Sequence, residues 1–140
     1  MIFTLVACDN SLTSSGERNQ PVQKKSTSLA YDAKRYTQGL QLYQQHCSSC
    51  HGKQAEGAIQ WHQKNAQGQF PPPPLNGTGH TWHHSYALLV KIIKEGTSAT
   101  GGNMPAWQGR LSDQQIDDIL YWVQSQWDKE IYEAWQSTNQ

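Results

Sequence analysis

The chain has 140 residues and a mass of 15.8 kDa, enough for one domain with some additional polypeptide but too little for two. Its 11 basic and 11 acidic residues cancel, which argues against a nucleic-acid-binding surface. No run of about 18 apolar residues occurs, so no transmembrane helix is predicted. The mean hydropathy of −0.77 shows that the chain is polar, yet it contains six Trp and six Tyr. This combination suggests that a large apolar group supplements the core.

The N-terminal segment, residues 1–8, is apolar and ends in Leu5-Val6-Ala7-Cys8. It is similar to the end of a secretory signal peptide that lacks its basic start and most of its apolar region. The last four residues resemble a bacterial lipobox, and this resemblance implies a lipid on Cys8, with Asp9 next, and an inner-membrane anchor; the alternative is a chance cysteine. Residues 9–29 are polar without an apolar period and are predicted to form a flexible tether.

The first helix is predicted over residues 31–46, because apolar residues there recur at three- and four-residue steps. It leads into Cys47-Ser48-Ser49-Cys50-His51, and Cys-x-x-Cys-His is the attachment signature of c-type haem. Two thiols on one turn can each form a thioether with a haem vinyl group, while the histidine supplies an axial nitrogen to the iron. The sequence therefore predicts one covalent haem c held by Cys47, Cys50 and His51.

Two other functions of a Cys-x-x-Cys pair are considered beside haem attachment. A structural zinc module needs two further ligands, for which His62, His80, His83 and His84 are candidates. A thiol redox motif would need a neighbouring βαβ pattern, and the sequence contains none. His83 and His84 are also a candidate for weak copper binding.

The rest of the chain shows helical periodicity and no convincing strand alternation. Residues 52–81 are rich in Gly, Gln and Pro and are predicted to be loop. A helix over 84–95 should stop at Gly96, and another should begin at the N-cap Ser112. An apolar stripe at four-residue spacing continues through Trp127, Ile131 and Trp135. Residues 128–140 are therefore predicted to form a helical extension that packs on its own domain.

A sixth iron ligand is expected in the loop before the last long helix. Met104 stands in Gly101-Gly102-Asn103-Met104-Pro105, and the only other methionine is Met1. A thioether sulfur suits a low-spin haem iron and raises its reduction potential. The rival ligands are His80, His83, His84, His46 and His62, of which His46 is too close to the attachment turn to reach the opposite haem face easily. The simplest alternative is that Met104 packs on an aromatic ring.

Together these elements resemble a class I cytochrome c over about residues 31–127. In that family a glycine of the first helix lets the last helix cross closely, an aromatic residue follows four positions later, and an aromatic of the last helix packs beside them. Gly39, Tyr43 and Trp122 match this pattern. The resemblance implies an all-α fold of about three to four helices around one covalently bound haem, with a domain over residues 30–127.

The same family has a Pro-x-Leu-x-Gly stretch whose proline carbonyl accepts the Nδ1 proton of the axial histidine. Residues 73–77 match it, so Pro73 is the candidate for this contact. Trp82 is a candidate donor to a haem propionate, with simple packing as its alternative. Basic and acidic residues are balanced over residues 30–127, whereas mitochondrial members have a ring of lysines, so docking should depend little on salt.

The predicted function is one-electron transfer by a monomeric carrier that is not itself an enzyme. With His51 and Met104 on the iron, no coordination site is left for O₂ or peroxide. The expected partners are redox proteins or membrane respiratory complexes, on the periplasmic side of a bacterial inner membrane. The alternative is the haem domain of an enzyme or sensor with a labile sixth ligand, which would bind peroxide, CO or NO.

Overall fold

The computed structural model describes residues 32–139. Over that range no β-strand occurs, and the predicted all-α class is confirmed. The predictions for residues 1–8, including Cys8, and for the tether 9–29 lie outside the described residues. The elements are α1 (Ala33–His46), α2 (Ser48–His51), a 3-10 turn (Thr81–His83), α3 (Tyr86–Glu95), a second 3-10 turn (Ser98–Thr100), α4 (Asp113–Gln124) and α5 (Lys129–Thr138).

The main helix pair is α1 crossing α4, and Gly39 lies at the crossing. A Cβ on Gly39 would stand 2.0 Å from the carbonyl oxygen of Asp118 and 2.8 Å from the Cβ of Trp122. The rings of Tyr43 and Trp122 pack next to this point with centroids 4.2 Å apart. The close crossing and its aromatic pair, which the sequence predicts, are both confirmed.

A polar network fixes the start of α1 against the middle of α4. The Arg35 guanidinium contacts the Asp117 carboxylate at 2.6 Å and that of Asp118 at 3.2 Å, and it lies 4.5 Å from the centre of the Tyr121 ring. The Asp118 side chain is nearly buried, so the arginine supplies the positive charge that this carboxylate needs. Tyr86, at the start of α3, donates its hydroxyl to Asp117, which ties a third helix to the crossing.

The C-terminal segment forms a separate helix that folds back on the domain. After α4 ends, the chain turns, and α5 begins directly after its N-cap residue Asp128. Trp127 is fully buried and donates its indole N–H to the carbonyl of Leu75 at 2.8 Å, and Trp135 donates to the carbonyl of His84 at 2.8 Å. The indole of Trp127, just before α5, thus holds the C-terminal segment to the long loop, and the indole of Trp135, within α5, holds it to the chain just before α3.

Local capping explains where the helices start and stop. Ser112 and Gln115 form a reciprocal capping box at the start of α4, and Gly96 ends α3 with a positive φ of 71°, both at the predicted positions. Residues 32–139 contain no helix that is long and apolar enough to cross a membrane.

Candidate functional site

The cysteines and histidine of the attachment motif lie on one helical turn. The amide of Cys50 donates to the carbonyl of Cys47 at 3.1 Å, and the amide of His51 donates to the same carbonyl at 2.9 Å. Both thiols are free, with Cys47 half-buried and Cys50 exposed. The turn therefore presents two thiols and one imidazole together, as attachment of a haem through two thioethers requires.

The ring of His51 is buried and held in one orientation. Its Nδ1 lies 2.9 Å from the carbonyl oxygen of Pro73, which can only accept, so Nδ1 carries the proton. The lone pair is thereby left on Nε2, the nitrogen that can bind a metal. Burial of the ring lowers the pKa of His51, and the bond to Pro73 opposes that shift. Both tautomer and orientation suit an axial ligand.

Close packing against Gly57 brings the Pro73 carbonyl to the histidine. A Cβ on Gly57 would lie 2.5 Å from the carbonyl carbon of Pro73 and 2.4 Å from the nitrogen of Pro74. The Gly57 amide itself donates to the carbonyl of His51 at 2.8 Å. Gly57 thus touches both partners of the imidazole–carbonyl bond, and a larger residue would push them apart.

Burial governs the electrostatics of Cys47, the first thiol of the motif. Burial, with a smaller contribution from Cys50, raises the pKa of Cys47 to about 12. Within residues 32–139 no group of three or more His, Cys, Asp or Glu side chains is placed to hold a metal ion. The described residues thus bring no further ligands to Cys47 and Cys50 for the zinc interpretation.

Tyr43 connects the attachment turn to the helix crossing. Its hydroxyl donates to the carbonyl of Gly52 at 2.7 Å, immediately after His51, while its ring packs on Trp122. Burial raises the pKa of Tyr43, so the phenol stays protonated and keeps donating at any physiological pH. The position of the turn is therefore coupled to the α1–α4 contact.

Met104 belongs to a different loop, between the second 3-10 turn and α4. Its side chain is half-buried against the hydrophobic core. Three residues later, the ring of Trp107 contacts the ring of His46 edge-on at 5.1 Å, directly before the attachment turn. Arg110 covers the same indole at 4.4 Å. This aromatic contact places the methionine loop beside the end of α1, so two separate segments of chain meet at the site.

The rival histidines are engaged in ring contacts. His80 stacks on Trp61 with centroids 5.0 Å apart and meets His84 edge-on at 5.1 Å. Burial, followed by the neighbouring His84 and His83, lowers the pKa of His80. Trp82 is half-buried and packs 3.9 Å from the ring of His83. The propionate contact of Trp82 stays a prediction.

The donor set fits haem c, since a fixed imidazole with a free Nε2 directly follows two unpaired thiols on one turn. Such a turn within an all-α fold defines a c-type cytochrome. A comparison with known families agrees: the model described as "Cytochrome C oxidase, cbb3-type, subunit III" matches residues 34–123. The chain belongs to this family, and its cofactor is covalently bound haem c, as the motif predicts.

Two curated relatives share this domain. The chain is 32% identical over 94 residues to a "Cbb3-type cytochrome c oxidase subunit CcoP" of Azospirillum sp. (strain B510), a match that covers 67% of this chain and 29% of the relative. It is 32% identical over 103 residues to the protein of the same description from Azospirillum brasilense, covering 73% and 30%. The chain thus spans less than a third of each relative. No solved structure matches it significantly.

Proposed function

We propose that the protein is a one-electron carrier whose haem iron is bound by His51 and Met104, while Cys47 and Cys50 fix the macrocycle. The haem, when bound, supplies an iron that alternates between Fe(III) and Fe(II). The contribution of the chain is to hold both ligands still. Pro73 accepts the Nδ1 proton of His51, which strengthens Nε2 as a donor and prevents the ring from turning.

The observation that carries this proposal is the 2.9 Å contact between His51 Nδ1 and the Pro73 carbonyl, because it fixes tautomer and orientation at a buried ring. If His51 served packing alone, it would have no need of an uncommitted Nε2 lone pair at a position that directly follows two unpaired thiols. Met104 is proposed as the sixth ligand because its loop packs beside the attachment turn through Trp107 and His46. A haem iron held by both His51 and Met104 would have no open site for a substrate and would supply electron exchange alone.

The test of the ligand assignment compares Met104→Ala with His80→Ala in the holoprotein. Met104→Ala should lower the reduction potential, abolish the far-red sulfur-to-iron band and let the reduced protein bind CO. His80→Ala is the control for a rival ligand and should leave all three unchanged. If His80→Ala produces these changes and Met104→Ala does not, the sixth ligand is a histidine. Rapid CO binding by the unaltered protein would favour the enzyme or sensor alternative.

The proposed partners are respiratory complexes, since both relatives are described as subunits of a cbb3-type oxidase. The domain would pass electrons to or within such an oxidase on the periplasmic side of a bacterial membrane. Because basic and acidic residues balance in the chain, docking should change little between low and physiological salt. A steep loss of electron-transfer rate with rising ionic strength would contradict this.

Attachment to the inner membrane through a lipid on Cys8 is the proposed anchor of the monomeric domain. The experiment expresses the protein from its natural reading frame and separates membranes from soluble periplasm. The unaltered haem protein should sediment with membranes, and Cys8→Ser should release it with its spectrum unchanged. Equal partition of both forms would refute the lipid anchor without affecting the haem assignment.

A further inference from the structure

The loop that carries Met104 is hydrogen-bonded to the C-terminal end of α3 at several points. The amides of Trp107 and Gln108 donate to the last-turn carbonyls of Ile93 and Lys94 at 3.1 and 3.0 Å. The tightest connection is at Thr97. Its side-chain oxygen accepts from the amide of Met104 at 3.0 Å, and its own amide donates to the carbonyl of Met104 at 3.0 Å. Both backbone groups of Met104 are therefore held by one residue.

The surrounding chain is shaped to permit this double contact. Gly96 has a positive φ of 71°, and a Cβ there would lie 2.5 Å from the Met104 carbonyl oxygen. On the other side, the amide of Gly102 donates to the carbonyl of Thr97 at 2.9 Å, and a Cβ on Gly102 would lie 2.2 Å from the Thr97 hydroxyl. Two glycines thus allow the loop to close around Thr97.

We propose that Thr97 is the positioning residue of the sixth iron ligand: by holding the amide and carbonyl of Met104 it fixes the backbone from which the thioether would reach the iron. This inference rests on the proposed His51/Met104 ligation. Methionine has a flexible side chain, and its sulfur is a weak ligand, so its hold on iron depends on where its backbone is fixed. If the Met104 backbone were released, the thioether would still be present but would dissociate from the iron more often.

The test compares Thr97→Val and Thr97→Ser in the holoprotein, with the exposed Thr37→Val on α1 as control. Valine keeps the shape of threonine but leaves the Met104 amide without its acceptor, whereas serine retains the hydroxyl. Thr97→Val should raise the rate of CO binding to the reduced protein about tenfold, as expected for one lost part-buried hydrogen bond, and weaken the far-red band. Thr97→Ser and Thr37→Val should both behave like the unaltered protein.

A double variant separates positioning from a general loss of structure. In the Met104→Ala background, Thr97→Val should change the CO rate no further, because no thioether is left to position. An additive effect there, or an unaltered CO rate in Thr97→Val alone, overturns the inference while leaving the ligand assignment intact. If Met104→Ala itself leaves spectrum and potential unchanged, the proposed ligation fails and the inference with it.

A second variant tests the same contact if Thr97→Val does not yield holoprotein. Gly102→Ala leaves the threonine in place but displaces its hydroxyl, because the added Cβ would occupy the position 2.2 Å from that oxygen. It should reproduce the faster CO binding and the weakened far-red band, and normal values for both would overturn the inference.

Discussion

Substitution of Gly39 by alanine probes the helix crossing on which the attachment turn is built. The added Cβ would lie 2.0 Å from the Asp118 carbonyl oxygen, about 1.4 Å short of an ordinary contact, and 2.8 Å from the Cβ of Trp122. The obstacle is helix backbone, which cannot rotate away as a side chain can, so α1 and α4 must separate. Overpacking of this kind costs about 3 kcal/mol, at the upper end of its usual range.

The helix propensity of alanine offsets about 1 kcal/mol of that cost, which leaves a net loss of about 2 kcal/mol. For a domain of this size the loss corresponds to a fall in Tm of about 10 °C. The assay is thermal unfolding of the oxidised holoprotein, followed by circular dichroism and by the haem absorption. Gln41→Ala, exposed on the same helix, is the matched control and should unfold like the unaltered protein.

The haem absorption adds a second expectation for this substitution. Tyr43 belongs to the same crossing and donates to the carbonyl of Gly52 after the attachment turn, so separation of the helices should loosen the haem environment as well. An unchanged or higher Tm for Gly39→Ala would show that the two helices can move apart freely and would refute the reasoning.

Three further predictions concern other contacts. Trp127→Phe should lower the free energy of unfolding by about 1–3 kcal/mol more than Trp122→Phe does, because the buried indole N–H of Trp127 has a carbonyl partner and that of Trp122 has none. Equal losses for the two variants in denaturant titrations would contradict this. The free energy of unfolding should fall as the pH drops below about 6.5, because His80 has a lowered pKa in the folded protein and takes up a proton more readily in the unfolded chain. In acid titrations, His80→Gln should make that decline less steep. Gly57→Ala should raise the reduction potential by loosening the carbonyl–imidazole bond at the axial histidine, whereas Gly68→Ala, with a similar positive φ and open space, should leave voltammetry unchanged.

The helices could be predicted from the sequence because their signals are local. The apolar spacing that predicts a helix over 31–46 corresponds to α1, and the boundaries marked by Gly96 and Ser112 are helix ends in the structure. Each of these signals depends on residues within one or two turns. The haem motif is equally local, since both thiols and the imidazole lie within five residues.

The contact between His51 and Pro73 could be anticipated only through the family resemblance, because 22 residues separate the two partners. The contacts that sequence reasoning missed are those joining distant segments without a repeated spacing. Gly57 gives no sign that it packs on Pro73, and seven residues separate Thr97 from the methionine it holds. Such pairings follow from the path of the loops, which composition and periodicity do not determine.

The partners of the C-terminal indoles were missed for the same reason. The apolar stripe predicts that Trp127 and Trp135 face the domain, but not which groups they meet. The structure shows that they donate to the carbonyls of Leu75 and His84, in the long loop and just before α3. Buried indole N–H groups take whatever acceptor the neighbouring backbone offers, so only the folded chain identifies it.

The most direct test of His51/Met104 ligation is the optical spectrum of the protein produced in a strain that matures c-type haem. It is recorded oxidised, reduced, reduced with CO, and as the denatured pyridine complex. His51/Met104 ligation predicts a thioether-type pyridine complex, sharp reduced bands, a weak far-red sulfur-to-iron band and no response to CO. A haem c that lacks the far-red band or binds CO rapidly would contradict it.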